Sequence, residues 1–286
     1  MTGILRAFRT ELYKLFRQKR TYLAILGMNL LSMLVLVFGI VARIWALMSG
    51  AGFNLATYLA MGDTWVRDLV SVQLIFMTIF SGLFLSLIWG EMVSKEFRDQ
   101  TIRLSLMGPV SRLQLFAAKT SVAFLLMVVT IAVSMIFIFI SLLLIHIGGK
   151  GISGAIEIMS AAFTGRELLL FGGLNFFTMS FIGMVAAFSS GIETAIGLSA
   201  FTWMIMSFMD GLIGALNRTG DISGSLYEIL RMSFTNSAHE ILIRFSKTSG
   251  LVTDLTIYGS ELRALGVYSL IFLLLAAFLF CRREVQ

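Results

Sequence analysis

Cysteine and proline are nearly missing from this sequence: Cys281 and Pro109 are single occurrences among 286 residues. A lone cysteine excludes an internal disulfide and any thiolate cluster for zinc or iron–sulfur. His146 and His239 are the two histidines, and neither has a companion set of carboxylates or cysteines to complete a metal site. They read as structural residues. The stretch HEILI from His239 opens like a zinc-protease signature, but Ile243 stands where the second histidine belongs. No phosphate-cradling G-x-x-x-x-G-K-[ST] occurs, because GGKG at 148–151 lacks both the earlier glycine and the hydroxyl residue. No G-x-S-x-G nucleophile turn is present either. Charge is scarce as well, at 13% of residues, against about 25% in soluble domains. These absences remove a soluble fold, a P-loop ATPase and the familiar hydrolase chemistries.

What the chain does have is apolar length. It is 58% hydrophobic, with a mean hydropathy of +0.91. Several runs reach the roughly 20 residues needed to cross a hydrocarbon core as helix. Lipid offers the backbone no hydrogen-bond partners, so such runs must be helical. The short alternating segments of a membrane β-barrel do not occur. The expectation is an all-α integral membrane protein with six spans, near 21–42, 69–90, 119–146, 168–189, 194–216 and 264–281. SSGIE, Ser189 to Glu193, is so short that the fourth and fifth spans must form an antiparallel hairpin. Gly183, Ala187 and Gly191 form a small-residue ridge suited to close packing, expected within that hairpin.

Six spans place both ends of the chain on one side. That side holds 13 basic and six acidic residues, and the other holds nine basic and ten acidic. Basic residues that flank spans stay in the cytoplasm, so both termini are expected there, in the cell membrane. This bias accounts for the sequence pI of about 9.7, and no nucleic-acid partner is needed. No cleavable signal peptide is evident. Ionisable residues are nearly absent from the spans, so an ion-coupled carrier lacks its relay. Asp210, near the outer end of the fifth span, reads as an interfacial acid or a cavity residue.

Two segments depart from the lipid-like pattern. In residues 1–20, Ile4, Leu5, Phe8, Leu12, Leu15 and Phe16 share one arc at the helical repeat, opposite Arg6, Arg9, Lys14 and Arg17. This predicts an interfacial helix against membrane lipid. Glu11 sits at the edge of the apolar arc. It is either a surface partner of Lys14 or a contact to a neighbouring helix or protein. The second segment, 91–118, carries Glu91, Lys95, Glu96, Arg98, Asp99 and Arg112 between two apolar runs. Its spacing predicts a solvated helix leaving the second span, stopped at Gly108-Pro109. A two-signed, rigid element of this size suits docking of a soluble protein better than a plain loop. Outside, 217–263 is too short to fold alone. Its apolar residues, Phe234 and Phe245 among them, predict short helices that close an outward mouth.

The order ELYKLFRQKRTY, six spans, and GEMVSKEFRDQTIRLSLMGPVSRLQLFAAK between spans two and three resembles the permease subunit of ABC-2-type exporters. The motif residues are Glu91, Glu96, Gln100-Thr101, Leu104, Pro109-Val110-Ser111-Arg112 and Lys119. Gln100 stands where glycine is common. The likeness implies one transmembrane domain over 1–286, with an elbow helix that includes Glu11, Lys14 and Arg17. It implies that Glu91, Lys95, Glu96, Arg98, Asp99, Thr101 and Arg112 belong to a coupling segment seated on a separate ATPase. That ATPase, in two copies, would bind ATP and Mg, and this chain would hold no cofactor. A second permease, identical or related, would complete a dimer. The expected function is export of an amphipathic or hydrophobic cargo: a peptide, a drug or a lipid-linked molecule. The alternative is a non-transporting complex that passes force to an envelope partner. An intramembrane enzyme is disfavoured by the missing constellations.

Overall fold

Apolar runs without proline become long helices, because each backbone group finds its partner within the helix. The computed structural model describes residues 2–49, 81–102, 110–146, 165–189, 191, 193–202, 241 and 255–283, with short pieces at 152–153, 156–157 and 160. Every regular element among them is helical. Helix α1 is Thr2–Arg17, and α2, Lys19–Ser49, follows after a break of one residue at Gln18. Helix α3 covers 81–89 and runs into a π-helical turn, Gly90–Ser94. One α-helical turn, α4, Lys95–Arg98, completes that rod. Helix α5 is Arg112–His146, α6 is Gly165–Phe188, and α7 covers 193–202. A 3₁₀ turn, Leu255–Tyr258, leads into α8, Gly259–Arg282.

Three described stretches are long and apolar enough to cross a membrane: Arg112–Ile140, Leu169–Phe188 and Thr256–Arg282. In the most apolar part of each, 72% of residues are buried in α6, against 33% in α5 and 28% in α8. Helix α6 is the most enclosed of the three described spans. Its most extensive packing is with α8, where Phe272 meets Phe177 at 5.9 Å and Phe181 at 5.4 Å between ring centroids. The outer faces of α5 and α8 expose Ile136, Leu270 and Leu274, a surface that suits hydrocarbon and not water.

Element boundaries differ from the sequence expectation in a consistent way. The third apolar run begins near 119, yet its helix starts at Arg112. The last begins near 264, yet α8 starts at Gly259. Polar residues in a first helical turn cost little when their side chains bond elsewhere, so helices outrun their apolar cores. The small-residue ridge also serves a different neighbour. A Cβ on Gly183 would lie 3.0 Å from the Trp89 ring, so the ridge admits α3 and does not only pack the hairpin.

Candidate functional site

Helix α1 packs mainly along α5, and far less on α2, its neighbour in sequence. Its buried edge is Ala7, Glu11 and Leu15, spaced four residues apart, while Ile4, Leu5 and Phe16 stay exposed. The apolar arc is thus split between a buried edge and an exposed face, and Glu11 lies at the seam, 2% exposed. The π-helical turn has the matching effect across the interface. Its i→i+5 bond, from the Lys95 N–H to the Gly90 carbonyl, widens the helix where it leaves α3. On an α-helix, Glu91 and Glu96 would point roughly 140° apart. Here both are buried and both bond residues of the chain before α3.

Four charged side chains close a ring at this seam. Lys119 Nζ, from α5, donates to Glu11 Oε2 at 2.5 Å and Glu96 Oε2 at 2.8 Å. Lys14 Nζ donates to Glu11 Oε1 at 2.9 Å and Glu96 Oε1 at 2.8 Å. Each carboxylate thus gives one oxygen to each lysine, and the ring is neutral. The Lys119 side chain is 0% exposed and that of Lys14 37%, so the ring opens to solvent chiefly at Lys14. Ions this buried are tolerated when their hydrogen-bonding capacity is met, and removing one partner typically costs about 3–5 kcal/mol. Burial works against the charged Glu96, but Lys119 and then Lys14 outweigh it and hold its carboxyl below the usual range. Burial likewise opposes the Lys14 ammonium, but Glu96 and then Glu11 outweigh it and raise its pKa.

The other residues of the segment expected to couple sort around this ring. Glu91 bonds Arg20, and its other oxygen accepts from Lys95 at 2.9 Å. Ser94 Oγ donates to the Ala186 carbonyl at 2.9 Å, fixing the π-helical turn to α6. Arg98 is exposed and bridges Asp99 at 3.1 Å and Glu193 at 3.1 Å. Gln100 then takes φ 55, the left-handed conformation that ends helices and favours glycine. That accounts for glycine being common at this place in the family the sequence resembles. Thr101 is exposed. With Thr10, Lys14, Gln18, Glu91, Lys95, Glu96 and Asp99 it lines an open cleft of about 460 Å³ between α1 and the coupling segment.

The solvated helix expected over Glu91–Asp99 is thus half wrong in character: Glu91 and Glu96 face inward, and Arg98 and Asp99 face out. Arg112 lies apart from the ring and donates to the carbonyls of Cys281, at 2.9 Å, and Arg283, at 2.8 Å. Arg17 stacks over Tyr13 at 4.7 Å and takes no part in the cleft. Phe234, Phe245, Asp210 and Pro109 fall outside the described residues. Sequence reasoning gave no site role to Lys119, Arg20 or Arg283. For Lys119 the available signals were its place in the family motif and a lysine two turns into a long helix, at the start of its apolar run.

Residues 7–206, a span that contains the whole ring together with Arg98, Arg112 and Glu193, match the family described as ABC-2 family transporter protein. No curated protein matches the chain. With a family match over more than half its length, and helices apolar enough to cross a membrane, the chain belongs to the ABC-2 family, as a membrane permease subunit of an ABC transporter.

Proposed function

We propose that this permease is the membrane half of an ATP-driven exporter, with six spans and both termini cytoplasmic. Family membership implies an ABC ATPase partner. In this reading two ATPases, charged with ATP and Mg, sit beneath a dimer of permeases. The observation that carries it is the closed ring of Glu11, Lys14, Glu96 and Lys119. A motor beneath the membrane does work only on what is rigidly attached to the part it grips. The ring fastens the segment after α3 to α1 and α5 through buried, charge-assisted bonds, which are stronger than neutral ones. The exposed Arg98, Asp99 and Thr101 and the polar cleft remain available for the grip. The scarcity of charge, with 17 methionines and 25 phenylalanines, suits a path for amphipathic or hydrophobic cargo. Residues 217–263 would close its outward mouth, with Phe234 and Phe245 in the closure.

The test is co-purification of the permease with its ATPase, followed by ATP turnover in vesicles with hydrophobic peptides added. Export requires ATP-dependent movement of peptide together with stimulated turnover. A complex that hydrolyses ATP but moves none of a broad panel of hydrophobic cargos would refute the exporter reading.

A further inference from the structure

Arg283, one residue past α8, is partly buried and touches three elements at once. Its Nη1 donates to the carbonyls of Ala187, at 3.1 Å, and Ser189, at 2.7 Å, at the open end of α6. Its guanidinium carbon lies 4.3 Å from the centroid of the Phe97 ring in α4. Its own carbonyl accepts from Arg112, the first residue of α5. The last carbonyls of a helix lack partners and carry partial negative charge, so a cation there is held by bonds and dipole together. A planar guanidinium can cap with its edge while its face lies on an aromatic ring.

The position of Phe97 gives this contact its meaning. It stands between Glu96, which belongs to the ring, and Arg98, which faces solvent. It also meets Phe280 of α8 edge-on at 5.2 Å. The acid–lysine ring ties the coupling segment to α1 and α5 but reaches neither α6 nor α8; Ser94 reaches α6 at the Ala186 carbonyl, and Phe97 is where the segment meets both the α6 cap and α8. A displaced Phe97 must either carry the ends of α6 and α8 with it or break the cap.

We propose that Arg283 is a positioning residue for transport, transmitting movement of the coupling segment through Phe97 to α6 and α8. The proposal rests on the exporter reading above. The lone Cys281, partly buried two residues earlier, is a native reporter of this junction.

In the purified permease–ATPase complex, the rate of maleimide labelling of Cys281 is measured on the permease chain, without nucleotide and after trapping with ATP and vanadate. The wild-type rate is expected to differ between the two states. Arg283→Gln is expected to reduce that difference severalfold while trapping at the ATPase persists. Phe97→Leu leaves the cap on α6 in place, so it keeps the test alive where Arg283→Gln fails to fold, and it should reduce the difference as well. A merely structural role would shift both rates together and leave the difference intact. A wild-type difference in either folded variant overturns the proposal. So does a wild-type rate indifferent to trapping in a complex that exports cargo. Failure of the permease to bind an ATPase, or to move cargo with it, instead overturns the exporter reading and this inference with it.

Discussion

Glu96 and Arg98 are two residues apart on the same helical turn, yet their side chains are 12% and 44% exposed. Glu96 has two lysines and little water around it. Arg98 has two carboxylates and open solvent, one of them Glu193, itself 78% exposed. The residue types and pairing distances are similar, and the physics is not. Charges in low dielectric cannot lose a partner cheaply, whereas exposed pairs are screened and exchange freely with water or with another protein. The buried ring therefore builds the segment after α3, and the exposed cluster is the part of it open to solvent.

Breaking the ring gives the largest expected effect. Lys119→Met leaves Glu11 and Glu96 facing each other across a buried seam with Lys14 alone to neutralise them. Stability should fall by about 3–5 kcal/mol, read as a lower thermal midpoint in detergent or as loss of folded protein. Adding Glu11→Gln restores neutrality around a single Lys14–Glu96 pair and should recover much of that loss, because coupled neighbours are not additive. If Lys119→Met and its double variant unfold alike, the ring is not a unit.

Acidity separates the two regions more gently. The Glu96 pKa is lowered on folding. Its contribution is therefore complete above the unfolded carboxyl value, about 4.3, and is lost as pH falls through the folded value. The Lys14 pKa is raised, so its contribution is complete below about 10.4 and is lost as pH rises through the folded value. Thermal midpoints of wild type and Glu96→Gln, followed from pH 7 down to about 3, should converge at the acid end. A constant gap would mean that Glu96 acts through packing and not through charge.

Gln100 offers a change in the opposite direction. It holds φ 55 without glycine's freedom, at a cost of roughly 1 kcal/mol. Gln100→Gly should stabilise the turn after Arg98 by up to about that amount, offset in part by the freer unfolded chain. A lower midpoint in Gln100→Gly would mean that the glutamine side chain makes a contact worth more than the backbone strain.

Much of this was legible in the sequence. Apolar length and the absence of proline dictate helices, and the fourth span falls at 168–189 in the pattern and at Gly165–Phe188 in the structure. Glu11 was legible as an anomaly, a carboxylate beside an apolar arc. Its pairing with Lys14, three residues on, was legible too; its second partner was not, because Lys119 is 108 residues away and periodicity carries no information across helices. The π-helical turn left no trace either, since no residue type in GEMVS specifies an i→i+5 step. Arg283 follows the last apolar run, where a basic residue reads as a membrane flank, and only the fold brings it to α6.

Arg98 should show the smallest effect on stability and the sharpest effect on function. It is open to solvent and bonds only exposed carboxylates, Asp99 and Glu193, among the described residues. Arg98→Glu places three acids together at the surface, where water and salt screen their repulsion. The thermal midpoint should stay within measurement error of the wild type, and the ring beside it should remain closed. If the exposed cluster is where the ATPase grips, the same variant should weaken co-purification or leave ATP turnover unresponsive to cargo. Salt provides the independent check, because a grip made through exposed charges loosens as ionic strength rises, while the buried ring does not. An Arg98→Glu permease that binds its ATPase as tightly as wild type, with the same salt dependence, would move the docking surface away from this cluster.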